Sequence, residues 1–248
     1  MSDSNHVALI TGTSRGLGAV IARVLAERGY DLVVCARDEG PLQTAAESFR
    51  SPGGKVVAIA GDITDDAVRV RLVDAARKLG GLNVLVNNAS ELGGIGPLSA
   101  VDLTRFARVM QVNVGAAIAL IQRALPLLAE RGGLIVNISS DAAHGAYPGW
   151  GPYGASKAAL ELVTRTLAGE LSVHGVSAIA VDPGDMRTRM HQEAFPGVDI
   201  SDRPLPEITI PFWNWLLSLN PRDVIAYSGQ RFAAQQEDAR WRLERKAS

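Results

Sequence analysis

From residue 7 to residue 181, short β-branched and aliphatic runs alternate with longer stretches of helical periodicity, and this rhythm limits the possible folds more than any other feature. The runs at 7–11, 32–35, 56–59, 84–86, 134–138 and 176–181 are almost continuously apolar, as in strands buried on both faces. Between them, apolar residues return at helical spacing. Val20, Ile21, Val24 and Leu25 do so within 17–28, which closes on Gly29, and similar patterns cover 41–49, 65–79, 102–130 and the segment holding Tyr153 and Lys157. Six such alternations predict a parallel sheet with helices packed on both faces. A weaker last strand is expected near 228–233, giving one doubly wound α/β domain over 1–248 with a seven-stranded, mostly parallel sheet.

Composition narrows the partners. Hydrophobic residues make up 47% of the 248 positions, enough for a large core, and the net charge of −1 gives no electrostatic ground for nucleic-acid binding. Cys35 is the single cysteine, so an internal disulfide is excluded and a reducing, cytoplasmic setting is expected. The polar stretch 1–6 lacks an apolar signal core, and no membrane partner is expected because the uninterrupted apolar runs are short. His6, His144, His174 and His191 do not have metal-ligand spacing, so no metal is expected.

Two clusters carry chemistry. Thr11-Gly12-Thr13-Ser14-Arg15-Gly16-Leu17-Gly18 lies where the first strand turns into the first helix. Glycines there permit a tight turn and close backbone approach, and the helix N-terminus offers unpaired N–H groups to a pyrophosphate. Tyr153 and Lys157 lie four residues apart, one helical turn, which puts a phenol and an ammonium on the same face. A neighbouring cation favours the phenolate and so lowers a tyrosine pKa toward neutrality, suiting the phenol to proton transfer at a carbonyl or hydroxyl.

With these residues in place the chain resembles the short-chain dehydrogenase/reductase family, in its short form with a Rossmann-like fold. The family's T-G-x3-G-x-G pattern is matched by Thr11 to Gly18, and its N-N-A-G segment by Asn87-Asn88-Ala89-Ser90. Its P-G-x3-T segment falls on Pro183-Gly184-Asp185-Met186-Arg187-Thr188. The resemblance implies Asn113, Ser140, Tyr153 and Lys157 as catalytic residues. Tyr153 would be the acid/base, Lys157 would lower its pKa and hold the nicotinamide ribose, and Ser140, rather than Ser139, would hydrogen-bond the substrate oxygen. Asn113, unfavourable inside an apolar helix, would interrupt that helix and hold a water linking Lys157 to solvent. Cofactor contacts are implied for Gly12, Ser14, Arg15, Gly16, Leu17, Gly18, Asp62, Ile63, Asn88, Ala89, Pro183, Gly184, Met186 and Thr188, as well as Tyr153 and Lys157. The activity so implied is oxidoreduction between a carbonyl and a secondary alcohol by direct hydride transfer. The alternative is a sensor or scaffold that binds the dinucleotide without turnover; such proteins usually lose the Tyr/Lys pair, which is present here.

Cofactor choice follows from the end of the second strand, Cys35-Ala36-Arg37-Asp38. Ala36 occupies the slot where NAD binders carry an acid, and Arg37 follows it; Arg15 supplies a second guanidinium. Two guanidinium groups suit a 2′-phosphate, so NADP(H) is expected over NAD(H), although Asp38 offers Arg37 a competing partner. Ser90 departs from the family glycine, and the usual D-G-G ending is missing, which favours a homodimer through the two long helices over a homotetramer. Residues 185–219 are expected to form a substrate lid, with Trp213 and Trp215 packing over the cleft or filling a subunit interface. Arg187, Arg189 and His191 are candidates for attracting an anionic substrate, with solvated lid charges as the equal alternative; His144 reads as an ordinary loop histidine before a substrate contact, and 235–248 as a charged tail.

Overall fold

Both faces of the central strand are apolar, and the structure uses both. The computed structural model describes residues 6–51 and 53–235. Its first half runs β1 (Val7–Thr11), α1 (Gly16–Glu27), β2 (Asp31–Ala36), α2 (Glu39–Ser48), β3 (Val56–Ala60), α3 (Asp66–Leu79) and β4 (Val84–Asn87). The second half continues with α4 (Leu103–Met110), α5 (Ala116–Arg131), β5 (Leu134–Ile138), α6 (Gly151–Leu171), β6 (Ser177–Asp182), α7 (Arg189–Ala194), α8 (Ile210–Leu216), α9 (Pro221–Ala226) and β7 (Arg231–Ala233). Ala8 and Ile10 of β1 pack with Ile21 and Leu25 of α1 on one face of the sheet. Val7 and Leu9 pack with Leu72 of α3 and Leu120 of α5 on the other. Full burial of such a side chain contributes about 1.5–3 kcal/mol, so the doubly covered sheet is the main source of stability.

The seven strands are ordered β3-β2-β1-β4-β5-β6-β7, and every pairing is parallel. The expectation of a mostly parallel sheet is thereby sharpened: β7 pairs with β6 in parallel, with Val181 opposite Phe232. The chain reverses its direction of winding between β1 and β4. A crevice opens there at the strands' carboxyl ends, where open α/β sheets bind ligands.

Local chemistry sets the helix limits. Asp65 caps α3 by accepting the Ala67 N–H at 2.9 Å, and Gly80 ends it in the left-handed region at φ 111°. Residues 102–130 read as one long helical stretch in the sequence, and the structure breaks it with a π turn at Gln111–Gly115 between α4 and α5. Residues Leu103–Arg131 have the length and mean hydropathy of a membrane span, although Arg105, Arg108, Arg123 and Glu130 interrupt the apolar run. More than half of the apolar window is buried inside the protein, however, where Leu120, Ile121, Ala124 and Leu128 pack in the core.

The region after β6 divides in two. Only residues 185–193 of the expected lid reach the crevice. The tryptophan-bearing helix α8 packs beside α1, where Phe212 and Trp213 are fully buried with Phe232, and Trp213 Nε1 donates to Thr209 Oγ1 at 3.0 Å. Trp213 is thus a core residue, not a cover over the cleft. Its apolar ring gains more against α1 and β7 than over an open crevice. Of the proposed tail 235–248, only Gln235 lies among the described residues; its amide is held by the carbonyls of Pro183 and Asp185 at 2.9 and 2.8 Å.

Candidate active site

The carboxyl ends of β1, β2, β4, β5 and β6 deliver short loops into one cleft of about 840 Å3. At its centre lies the glycine loop. Gly12 has φ +74°, and a Cβ there would meet Asn88 Nδ2 at 2.7 Å. Gly18 needs no special backbone, but its Cβ would lie 2.3 Å from the Gly12 carbonyl oxygen, so only glycine lets α1 start this close to the loop. Thr11 and Asn88 brace the arrangement. Thr11 Oγ1 accepts the Asn88 and Ala89 N–H groups, both at 3.0 Å, and Asn88 Nδ2 donates to the carbonyls of Thr11 and Gly12 at 2.8 and 3.0 Å. Asn88 lines the cleft, yet its amide shapes the loop.

This cradle fits a dinucleotide. Ser14, Arg15, Gly16 and Leu17 line the cleft at the α1 N-terminus, whose first N–H groups have no intrahelical acceptor. Ser90, in place of the family glycine, also lines it, and its buried Oγ has no hydrogen-bond partner in the protein. Asp62, Ile63 and Ala89 line the same end, while Pro183, Gly184, Met186 and Thr188 line the other. Thr188 Oγ1 caps α7 through the His191 N–H at 3.2 Å, and its methyl lies 3.6 Å from where a Gly16 Cβ would stand.

Ser140, Tyr153 and Lys157 converge at the β5 and α6 side of the cleft. Tyr153 is 8% exposed, its ring edge-on to Trp150 at 5.9 Å between centroids. Ser140 lies beside the phenol, donates to Asp141 Oδ1 at 2.9 Å and accepts the Ala142 N–H at 3.2 Å. Lys157 is fully buried, with Nζ donating to the Ile138 carbonyl at 2.8 Å and lying 5.4 Å from the Tyr153 ring centroid.

The electrostatics here differ from the expectation. Burial raises the Tyr153 pKa; the neighbouring Ser140 hydroxyl opposes this, while the charges of Asp182 and Asp141 add to it. Lys157 does not pull the phenol down, because its ammonium sits over the ring face and is spent on a carbonyl. Burial also pushes the Lys157 pKa down to about 8, with Asp182 and Glu161 acting against the shift.

Asn113 sits in the π turn, which carries its side chain inward. Its Nδ2 donates to the Glu91 carbonyl and to Ser156 Oγ, both at 2.9 Å, and its Oδ1 accepts the Glu91 N–H at 2.8 Å. The helix interruption read from the sequence is there. The side-chain amide is a clamp between the β4 loop and α6, and both of its protons go to protein acceptors.

Several participants were missed in the sequence. Glu161 follows Lys157 by one helical turn on the buried face of α6. It binds Ser139 Oγ, Arg231 Nε at 2.9 Å and His144 Nε2 at 2.7 Å. Arg231 also reaches Asp182 Oδ2 at 2.7 Å, so an ion network underlies the Tyr153–Lys157 pair. A charged residue four positions after Lys157 on an otherwise apolar face was the available signal. Ser139 belongs to this network and Ser140 to the cleft, and His144 is a partner of Glu161, more than a plain loop histidine. At the opposite end, Arg37 pairs with Glu91 at 2.8 Å, not with Asp38. Arg108 binds Glu91 at 3.1 Å and Asp62 at 2.6 Å. Neither Glu91 nor Arg108 lies in a motif. Near the lid, Arg189 pairs with Glu193 at 2.7 Å, and His191 packs on Phe195 beside Asp185. Arg189 is thus paired within its own helix, while the buried His191 Nε2 has no hydrogen-bond partner in the protein.

Comparison with known proteins agrees with this geometry. A family model for short chain dehydrogenases matches residues 6–199. An uncharacterized oxidoreductase of Saccharomyces cerevisiae is 39% identical over 187 residues, covering 74% of this chain and 72% of that protein. Dehydrogenase/reductase SDR family member 4 of Bos taurus is 37% identical over 186 residues, covering 74% and 67%. A short chain dehydrogenase structure from Pseudomonas syringae superposes with a TM-score of 0.86 at 33% identity, over 93% of this chain and 94% of that one. Another, from Shigella flexneri and complexed with NADP, gives 0.83 at 27% identity over 95% and 100%. With the glycine cradle, the Ser140–Tyr153–Lys157 convergence and a family match over most of its length, the chain belongs to the short-chain dehydrogenase/reductase family of oxidoreductases.

Proposed function

We propose that the protein is an NADP(H)-dependent oxidoreductase interconverting a carbonyl compound and a secondary alcohol, with Tyr153 as the acid/base. One observation carries the reading: a single cleft holds a buried phenol with its serine and lysine at one end and two arginines, Arg15 and Arg37, at the other. When bound, the nicotinamide dinucleotide supplies or accepts the hydride. In the reductive direction Ser140 holds the substrate oxygen, and Tyr153 gives its proton to that oxygen as the alkoxide develops. Lys157, its pKa lowered by burial to about 8, stands 5.4 Å from the ring centroid and would hold the nicotinamide ribose hydroxyls when the cofactor is bound. In oxidation the same proton returns to Tyr153. Burial, which holds the phenol protonated, suits it to the donor role.

The preference for the 2′-phosphate rests on Ala36 at the acidic slot and on the two guanidinium groups. The substrate side is lined by Leu92, Trp150, Met186 and Met190, and the nearby charges are paired with one another, which favours uncharged, apolar carbonyl compounds. We also propose a cytoplasmic homodimer formed through the outer faces of α5 and α6. The functional test follows NADPH and NADH absorbance in parallel across a ketone and aldehyde panel, with Tyr153→Phe beside the wild type. Turnover with NADPH that is abolished in Tyr153→Phe, at nearly unchanged cofactor affinity, is the expected result. Activity with NADH alone overturns the cofactor assignment, and retained turnover in Tyr153→Phe overturns the acid/base assignment.

A further inference from the structure

We infer that Glu91 is a specificity-determining residue. Its carboxylate is the resident partner of Arg37, which an incoming 2′-phosphate displaces, while Arg108 keeps that carboxylate neutralised after the exchange. The inference rests on the NADP(H) reading above.

The two ends of the Arg37–Glu91 pair differ in mobility. Arg37, just after β2, is two-thirds exposed on a long side chain, whereas the Glu91 side chain is mostly covered. The Glu91 peptide is pinned on both sides by Asn113, which accepts its N–H and donates to its carbonyl. Arg108 holds the carboxylate from the other direction, through Nε to Oε2 at 3.3 Å and Nη2 to Oε1 at 3.1 Å. Arg108 is itself anchored on Asp62 Oδ2 at 2.6 Å and Thr64 Oγ1 at 3.1 Å. All of Arg37, Glu91, Arg108 and Asp62 line the adenosine end of the cleft.

Arg37 is therefore the movable member and Glu91 the fixed one. A phosphate monoester carries more charge than a carboxylate and offers three acceptor oxygens, so it outcompetes Glu91 for the guanidinium. When Arg37 leaves, Glu91 retains Arg108, and no bare carboxylate faces the phosphate. A ligand with a free 2′-hydroxyl offers Arg37 nothing to replace the carboxylate, so the pair stays closed. The Glu91 carboxylate thus taxes 2′-phosphate binding without touching the rest of the nucleotide.

The test measures binding of 2′,5′-ADP and 5′-AMP by titration calorimetry to the full chain, its Glu91→Gln and Arg37→Ala variants, and the double variant. Freed from an ion pair that is partly exposed, Arg37 in Glu91→Gln should bind 2′,5′-ADP about two- to fivefold more tightly, the range set by such pairs. Affinity for 5′-AMP should not change, and the gain should vanish in the Arg37→Ala background, because the cycle isolates the pair. An equal change for both ligands, weaker 2′,5′-ADP binding, or a gain that persists without Arg37 overturns the role assigned to Glu91. If Arg37→Ala alone leaves the preference for 2′,5′-ADP over 5′-AMP intact, the cofactor reading itself fails, a result distinct from failure of the Glu91 step.

Discussion

Replacing Lys157 by methionine should change how stability depends on pH, and in a predictable direction. Burial lowers the Lys157 pKa from 10.5 to about 8 in the folded protein. In the unfolded chain the ammonium is hydrated and titrates near its ordinary value. A shift of about 2.5 pH units corresponds to about 3 kcal/mol, at about 1.4 kcal/mol per unit, borne by the wild type while the buried amine is charged. Between the two pKa values the unfolded state binds more protons than the folded one, so wild-type stability rises with pH. The cost is complete below pH 8 and has gone above the unfolded value. By pH 9.5 the wild type should have gained about 2 kcal/mol relative to Lys157→Met. Losing the Nζ bond to the Ile138 carbonyl offsets the two curves by a constant but does not change their relative slope. The assay is urea unfolding of cofactor-free protein at fixed concentration, at half-unit steps from pH 7 to 9.5. Stopping there keeps Tyr153 out of the comparison, because its raised pKa acts in the opposite sense only above pH 10. Parallel wild-type and variant curves over that window would refute the assignment of a desolvated, charged lysine beneath the phenol.

Three further outcomes are expected. Gly18→Ala should destabilise the protein by about 1–3 kcal/mol, or several degrees in Tm, and weaken dinucleotide binding, since the new Cβ would lie 2.3 Å from the Gly12 carbonyl. Gly16→Ala makes only an ordinary contact, 3.6 Å from the Thr188 methyl, and should cost only about 1 kcal/mol, for the left-handed backbone; equal Tm losses would count against the close-packing explanation. Arg231→Met leaves the buried carboxylates of Glu161 and Asp182 without their shared guanidinium and should cost about 3–5 kcal/mol near neutral pH. A loss below about 1 kcal/mol in the same unfolding assay, the size of an exposed pair, would contradict the ion-network account. Ser140→Ala should lower kcat by at least about tenfold, whereas Ser139→Ala, whose hydroxyl serves Glu161, should mainly lower Tm. Steady-state kinetics and melting curves on the two variants separate those roles.

Much of this protein was legible one residue at a time. Buried strands flanked by helices need unbroken apolar runs, so the positions of β1 to β6 could be read from local pattern alone. The glycine loop was legible because backbone freedom is a property of the residue, and Asn113 stood out as a polar break in an apolar helix. Some features needed the fold. β4 lies beside β1 with two βα units between them in sequence, and the cleft exists only because the winding reverses there. Arg37, Glu91 and Arg108 come from three separate loops and helices, and Glu161, Arg231 and Asp182 from α6, β7 and β6, so no local spacing announced either network. Proximity in sequence suggested that Lys157 would lower the Tyr153 pKa. Packing decided the opposite, because withdrawal from water acts on both groups more strongly than one charge acts on the other. The residue types and their order determined the sheet and the kind of chemistry; burial and long-range pairing, which are properties of the folded volume, determined which charges meet and where the protons sit.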